Sequence, residues 1–120
     1  MSRLNDPDDA DLTIDIRHQA DAAIVSPRGE VTVFTSPALR VRLREVIESG
    51  ARRVVMDLSA VAYVDSSGVA TFVDALREVR QAQGRLALAG VNPRVRGVFE
   101  IARLDSLFTM TETVEEALEP

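Results

Sequence analysis

The sequence has no cysteine and no tryptophan, a single tyrosine and a single histidine among 120 residues. All of its basic residues are arginine; lysine is absent. The lack of cysteine removes disulfides, thiolate nucleophiles and thiolate metal sites together, and it suits a reducing compartment. With His18 as the only histidine, a metal site would need oxygen ligands alone. The acidic run Asp6, Asp8, Asp9 and Asp11 reads instead as solvated charge in a flexible lead-in. No Gly-x-x-x-x-Gly-Lys or Gly-x-Gly-x-x-Gly motif is present to cradle nucleotide phosphates. No cofactor or metal is expected. No apolar run approaches the roughly 20 residues of a membrane helix. Residues 1–11 lack the apolar stretch of a signal peptide. Together these absences lead to the expectation of a cytoplasmic protein.

Acidic residues exceed basic ones by 19 to 14, giving a formal charge of −5. Nucleic acids and anionic membranes are therefore poor partners, because both bind through basic side chains. The densest basic stretch, Arg40, Arg42, Arg44, Arg52 and Arg53, reads as a solvated face. A hydrophobic content of 46% with 28% charged residues provides for a packed core. The length fits one domain, expected over residues 12–120, after a flexible acidic segment at 1–11.

Patterning predicts a mixed α/β fold. Leu12, Ile14 and Ile16 alternate with polar residues as in a half-buried strand. After a turn at His18–Asp21, residues 22–33 resume extended structure and pair back as a hairpin. Pro27, which lacks an N–H, implies a short, bulged or edge strand there. Ser36-Pro37 has the cap-plus-proline form of a helix start, and Gly50 marks its stop. Val54–Leu58 is an apolar run suited to a covered parallel strand. A loop follows at Ser59–Asp65. A helix from Ser66 to about Gln83 buries Val69, Phe72, Val73, Leu76 and Val79, and Gly84 ends it. Leu86–Ala89 is the next strand. Asn92-Pro93 opens a helix with an apolar stripe of Val95, Val98, Phe99 and Ala102. A short strand at Leu107–Met110 and a capping-box helix from Thr113 to about Leu118 close the chain. The expected order is ββαβαβαβα, with a largely parallel sheet and right-handed crossovers.

The chemistry concentrates in Asp57–Gly68. A buried strand ends there, and a helix begins at Asp65-Ser66-Ser67-Gly68. Partners commonly meet open α/β sheets at such strand-to-helix turns. The first turn of a helix carries unpaired N–H groups and partial positive charge, which Asp65 or Ser66 can cap. Gly68 permits close approach of another backbone or of a partner. The tetrapeptide alone is explained by capping. A phosphate on Ser66 would face the same N–H groups and add about −1.5 to −2 charge. A partner fitted to the bare hydroxyl would then meet a hydrated dianion that is costly to desolvate.

A hydrolase reading fails for want of a base. His18 falls in the turn after the first strand, and Ser66 lacks the glycine-framed elbow of a nucleophile. Partial exposure of Phe34 and Tyr63 near the Asp65–Gly68 turn is one reading, but core packing is the expectation for both, because the chain has few aromatics.

Val54-Val55-Met56-Asp57-Leu58-Ser59, Val61-x-Tyr63-Val64-Asp65-Ser66-Ser67-Gly68-Val69, Gly84–Pro93 and Val98–Phe108 together resemble the STAS family, and within it the anti-sigma factor antagonists. The resemblance spans the chain from about Leu12. It implies a non-enzymatic protein that binds an anti-sigma factor doubling as a serine kinase. That kinase would phosphorylate the first serine of the motif, here Ser66, and a phosphatase would reverse it. The bare antagonist would capture the anti-sigma factor and free a sigma factor. Asp65, Ser66, Ser67 and Gly68 map onto the family's docking surface. Thr32 stands where these antagonists usually carry an acidic residue near that surface. The resemblance also admits a constitutive STAS subunit binding an ABC transporter ATPase in a lipid-transport complex. It leaves the oligomeric state open.

Overall fold

The computed structural model describes residues 12–119. The predicted lead-in at 1–11 lies outside the described residues. Strands β1 (Leu12–Gln19) and β2 (Ala22–Val31) are followed by helix α1 (Ser36–Glu48) and strands β3 (Arg53–Asp57) and β4 (Val61–Val64). Helix α2 (Ser66–Gln81), strand β5 (Arg85–Ala89), helix α3 (Pro93–Ile101), strand β6 (Thr109–Thr111) and helix α4 (Val114–Leu118) complete the order.

One sheet runs β1-β2-β3-β5-β6, and β4 pairs with β2 off this path. The β1–β2 hairpin is antiparallel and every other pairing is parallel. Helices α1, α2 and α3 supply Leu39, Leu43, Val46, Phe72, Leu76, Val95 and Phe99 to the main core, against Ala23, Val25, Val54, Met56 and Leu88 of the sheet. The opposite face carries a smaller cluster, Ile24, Val55 and Ala89, covered by Val114, Ala117 and Leu118 of α4. Phe99 links two further aromatics within the main core. Its ring stacks on Phe72 at 5.9 Å and meets Phe108 edge-on at 5.3 Å.

The strand β4 is an addition to the predicted order and occupies what reads in sequence as loop. Its burial runs buried–exposed–exposed–buried, so it carries no period-2 signal. Its extended form comes from pairing with Gly29–Val31 of β2. This pairing also explains Pro27. The Gly29 N–H donates to the Ala60 carbonyl, so odd-numbered β2 residues point their N–H groups away from β1. Pairing with β3 ends at Val25 and pairing with β4 begins at Gly29. Pro27 thus falls in the gap between two partners, where no ladder donor is required. The strand continues through Pro27 and ends at Val31, two residues before the predicted end, and its register with β4 shifts between Gly29 and Glu30.

Several ends differ from the sequence reading. The N-cap of α1 is Thr35 rather than Ser36, which is buried in the first turn. The Thr35 hydroxyl donates to the Glu30 carbonyl and accepts from the Thr32 N–H, so it closes the β2–α1 loop instead of capping. Helix α2 ends at Gln81, and Gln83 adopts the left-handed conformation expected of Gly84 (φ 64°). Gly84 serves a close approach: a Cβ there would lie 2.7 Å from the Arg52 carbonyl oxygen. Leu107 ends a 3-10 turn rather than beginning β6. The arginines of α1 do more than face solvent. Arg40 pairs with Asp74 (3.0 Å) and Arg44 with Glu78 (3.4 Å), tying α1 to α2, while Arg53 pairs with Asp21 (3.3 Å).

Candidate functional site

The Asp65–Gly68 turn starts α2 where β4 leaves the sheet. Asp65 is extended (φ −98°, ψ −173°) and is the N-cap of α2. One of its carboxylate oxygens accepts from the Gly68 N–H at 3.0 Å. The other accepts from the Val33 N–H at 3.0 Å. Its own N–H donates to the Val31 carbonyl at 3.1 Å. One side chain therefore caps the helix and fastens the β2–α1 loop beside it. Among first-turn donors, Gly68 and Val69 are taken by Asp65, leaving the N–H groups of Ser66 and Ser67 without intrahelical partners.

Ser66 is exposed, Ser67 half-buried and Gly68 buried. Successive helical residues are about 100° apart, so the two serines face different neighbours. Ser66 lines a groove of about 540 Å³ between α2 and α3, with Val69, Val73, Val98, Ile101 and Leu104. The Ser67 carbonyl accepts from the Thr71 hydroxyl, which itself accepts from Arg40 on α1. The close approach permitted by Gly68 is internal. A Cβ there would lie 2.6 Å from the Val31 carbonyl oxygen and 2.7 Å from a Val64 methyl. Gly68 thus shapes this surface from beneath by letting α2 seat against β2.

Thr32 lies between the two β2-loop residues that bond Asp65. It is half-buried, and its hydroxyl accepts from the Phe34 N–H at 3.2 Å. The structure thus gathers Thr32, Asp65, Ser66 and Ser67 at one end of the sheet. His18 is elsewhere. It pairs with Ala23, eight residues along β2 from Val31, or about 25 Å at strand rise. It lies within β1 and is exposed, so it has no part in a triad with Ser66.

Two aromatics placed in the core by the sequence reading are on the surface. Phe34 is 84% exposed at the tip of the β2–α1 loop, next to Val33, and Tyr63 is 38% exposed on β4. The core positions of β4 are taken by Val61 and Val64, leaving Tyr63 outside. The loop tip is closed by the Thr35 N–H and Ser36 N–H on the Thr32 carbonyl, which turns Phe34 outward. Ile101, 87% exposed at the end of α3, was also missed. The available signal was an isoleucine outside the helix's own apolar stripe. Ile101 thus rims the groove that exposed Ser66 lines, and Val33 and Phe34 are exposed on the loop fastened to its neighbour Asp65.

The STAS domain model matches residues 13–117. The anti-sigma-B factor antagonist of Staphylococcus aureus is 33% identical over 104 residues, covering 87% of this chain and 96% of its own. An anti-sigma factor antagonist from Mycobacterium paratuberculosis superposes with a TM-score of 0.81 at 25% identity, covering 89% of this chain and 91% of its own. The anti-sigma factor antagonist SpoIIAA in its unphosphorylated form gives a TM-score of 0.77 at 25% identity, covering 88% and 93%. The Bacillus SpoIIAA in its phosphorylated form shares the fold with a TM-score of 0.70 at 24% identity, covering 88% and 96%. With the mixed sheet, the helix-capping Asp65 and a family match over nearly all the described residues, the chain belongs to the STAS family.

Proposed function

We propose that this protein is a phosphorylation-switched binding protein that captures an anti-sigma factor, itself a serine kinase, and so releases a sigma factor. Ser66 is the phosphoacceptor, and a phosphatase restores the bare hydroxyl. The observation that carries this reading is the exposure of Ser66 as the first residue of α2, beside an Asp65 cap that does not involve it. Phosphate can be added there without breaking a core contact. The relatives' role as anti-sigma factor antagonists, and a fold neighbour known in both phosphorylation states, support the same reading.

The apolar rim explains how a single phosphate acts as a switch. Bare Ser66 lies within a surface that a partner can dry out by covering Phe34 and Ile101. Phosphoserine in the same position brings about −2 charge next to Asp65 and the apolar groove, where desolvation is uncompensated. Asp65, Ser67, Gly68 and Thr32 hold the surface in shape. No catalytic step is assigned to this chain.

Intact-mass measurement on protein isolated from its native cells tests the proposal. A fraction heavier by one phosphate, absent from Ser66→Ala, is the expected result, together with an anti-sigma factor co-purifying with the lighter form. A chain that never carries phosphate and co-purifies with a transporter ATPase would overturn it.

A further inference from the structure

The two edges of the sheet are unequal. At one, β6 offers three residues, Thr109–Thr111. At the other, β1 offers eight, Leu12–Gln19, and among the described residues nothing pairs with its outer side. A long free edge is a template for another strand unless its side chains prevent pairing.

We propose that the outer edge of β1 joins two copies of this chain, by antiparallel pairing of β1 with β1 about a two-fold axis at Ile16. The alternation of the hairpin sets which groups are free. Odd-numbered β2 residues direct their N–H groups away from β1, so even-numbered ones bond it, and these are paired with odd-numbered residues of β1. Ile14, Ile16 and His18 therefore present their N–H and C=O groups outward. Centring on Ile16 places Ile14 opposite His18 of the second copy and Ile16 opposite itself, for about six backbone hydrogen bonds.

Charge selects this register over its neighbours. Asp15 and Arg17 are both exposed, on the sheet face away from α1. With the axis at Ile16, Asp15 of each copy stands directly opposite Arg17 of the other, in the closely spaced kind of pair. Moving the axis one residue, to Asp15, would set the two Asp15 carboxylates against each other. The side chain of Asp15 already reaches Arg28 at 2.5 Å, so it would be shared between two guanidinium groups. On the other face, a groove of about 490 Å³ lined by Leu12, Thr13, Ile14, Ala38, Val41 and Arg42 runs along the edge. Val41 is 57% exposed there. In this register the second copy's His18, opposite Ile14, and the Ile16 beside it extend the sheet over this groove. Because β4 joins β2 on the side opposite β1, the Ser66 surface stays open in both copies.

Sedimentation equilibrium of the full chain tests the pairing. Twice the single-chain mass is expected. His18→Pro removes an outward N–H at an exposed position and should return the chain to single mass, with unchanged circular dichroism. Asp15→Arg should weaken the dimer at least 10-fold by facing Arg17 with like charge. The double exchange Asp15→Arg with Arg17→Asp should restore it, although the pair with Arg28 is lost in both variants. A single-chain mass up to about 1 mM would overturn the proposal, whether the edge is bare or covered by residues 1–11. So would a dimer indifferent to both single substitutions.

Discussion

Two glycines lie in helices of this domain, and adding one methyl group to each should move stability in opposite directions. At Gly68 a Cβ would meet the Val31 carbonyl oxygen at 2.6 Å, a Val64 methyl at 2.7 Å and a Val31 methyl at 2.9 Å. Ordinary contact begins near 3.4 Å, so something must yield by roughly 0.8 Å. The carbonyl is poorly placed to move, because it also accepts from the Asp65 N–H. Overpacking of this kind costs about 1–3 kcal/mol. Replacing glycine in a helix returns up to ~1 kcal/mol, and less in the first turn. The net loss for Gly68→Ala is therefore about 1–2 kcal/mol, lowering Tm by roughly 4–8 °C for a domain of this size. At Gly97, in α3, an added Cβ meets nothing within 4 Å. Gly97→Ala should gain about 0.5–1 kcal/mol and raise Tm by ~2–4 °C. Thermal unfolding followed by circular dichroism reads both. A Gly68→Ala protein as stable as the parent, alongside a stabilised Gly97→Ala, would refute the account of how α2 seats on β2.

Asp65→Ala removes the cap and the loop fastening together; a loss of about 1–2 kcal/mol is expected in urea unfolding, with an unchanged m-value. Phe34→Ala should leave stability within about 0.5 kcal/mol, because the ring is 84% exposed. The same substitution should weaken anti-sigma factor binding at least 10-fold by calorimetry, a change of ~1.4 kcal/mol. Ser66→Glu should match the parent in Tm while abolishing that binding, since the position is exposed and only the partner meets the charge. A double-mutant cycle on Arg40 and Asp74 should give a coupling of ~0.2–1 kcal/mol that shrinks in high salt, as for other partly exposed pairs.

Three things were legible in the chain by itself because each depends on neighbours along the sequence. Alternation in Leu12–Ile16, the apolar run Val54–Leu58 and the helical stripes predicted the principal elements and their order. Asn92 and Thr113 cap their helices as the local motifs foretold, through bonds to the Val95 and Glu116 N–H groups. Asp65 followed the same logic at the turn that carries Ser66, and the family resemblance rested on that turn.

Other features required the folded sheet. Val61–Val64 is a strand because β2 extends past the end of β3 and leaves ladder groups to be met, a fact about a distant segment. Pro27 is harmless for the same reason. The exposure of Phe34 and Tyr63 depends on which positions the core had already filled, and composition argued the opposite. Gly84 reads as a helix stop and Gly68 as a place where another backbone or a partner can approach; only the fold shows that each admits a remote carbonyl, Arg52 in one case and Val31 in the other. Local sequence specifies the dihedral preferences and the face of each element. Which carbonyl presses against which glycine, and which hydrophobic side chain is left outside, is decided only when the layers close on one another.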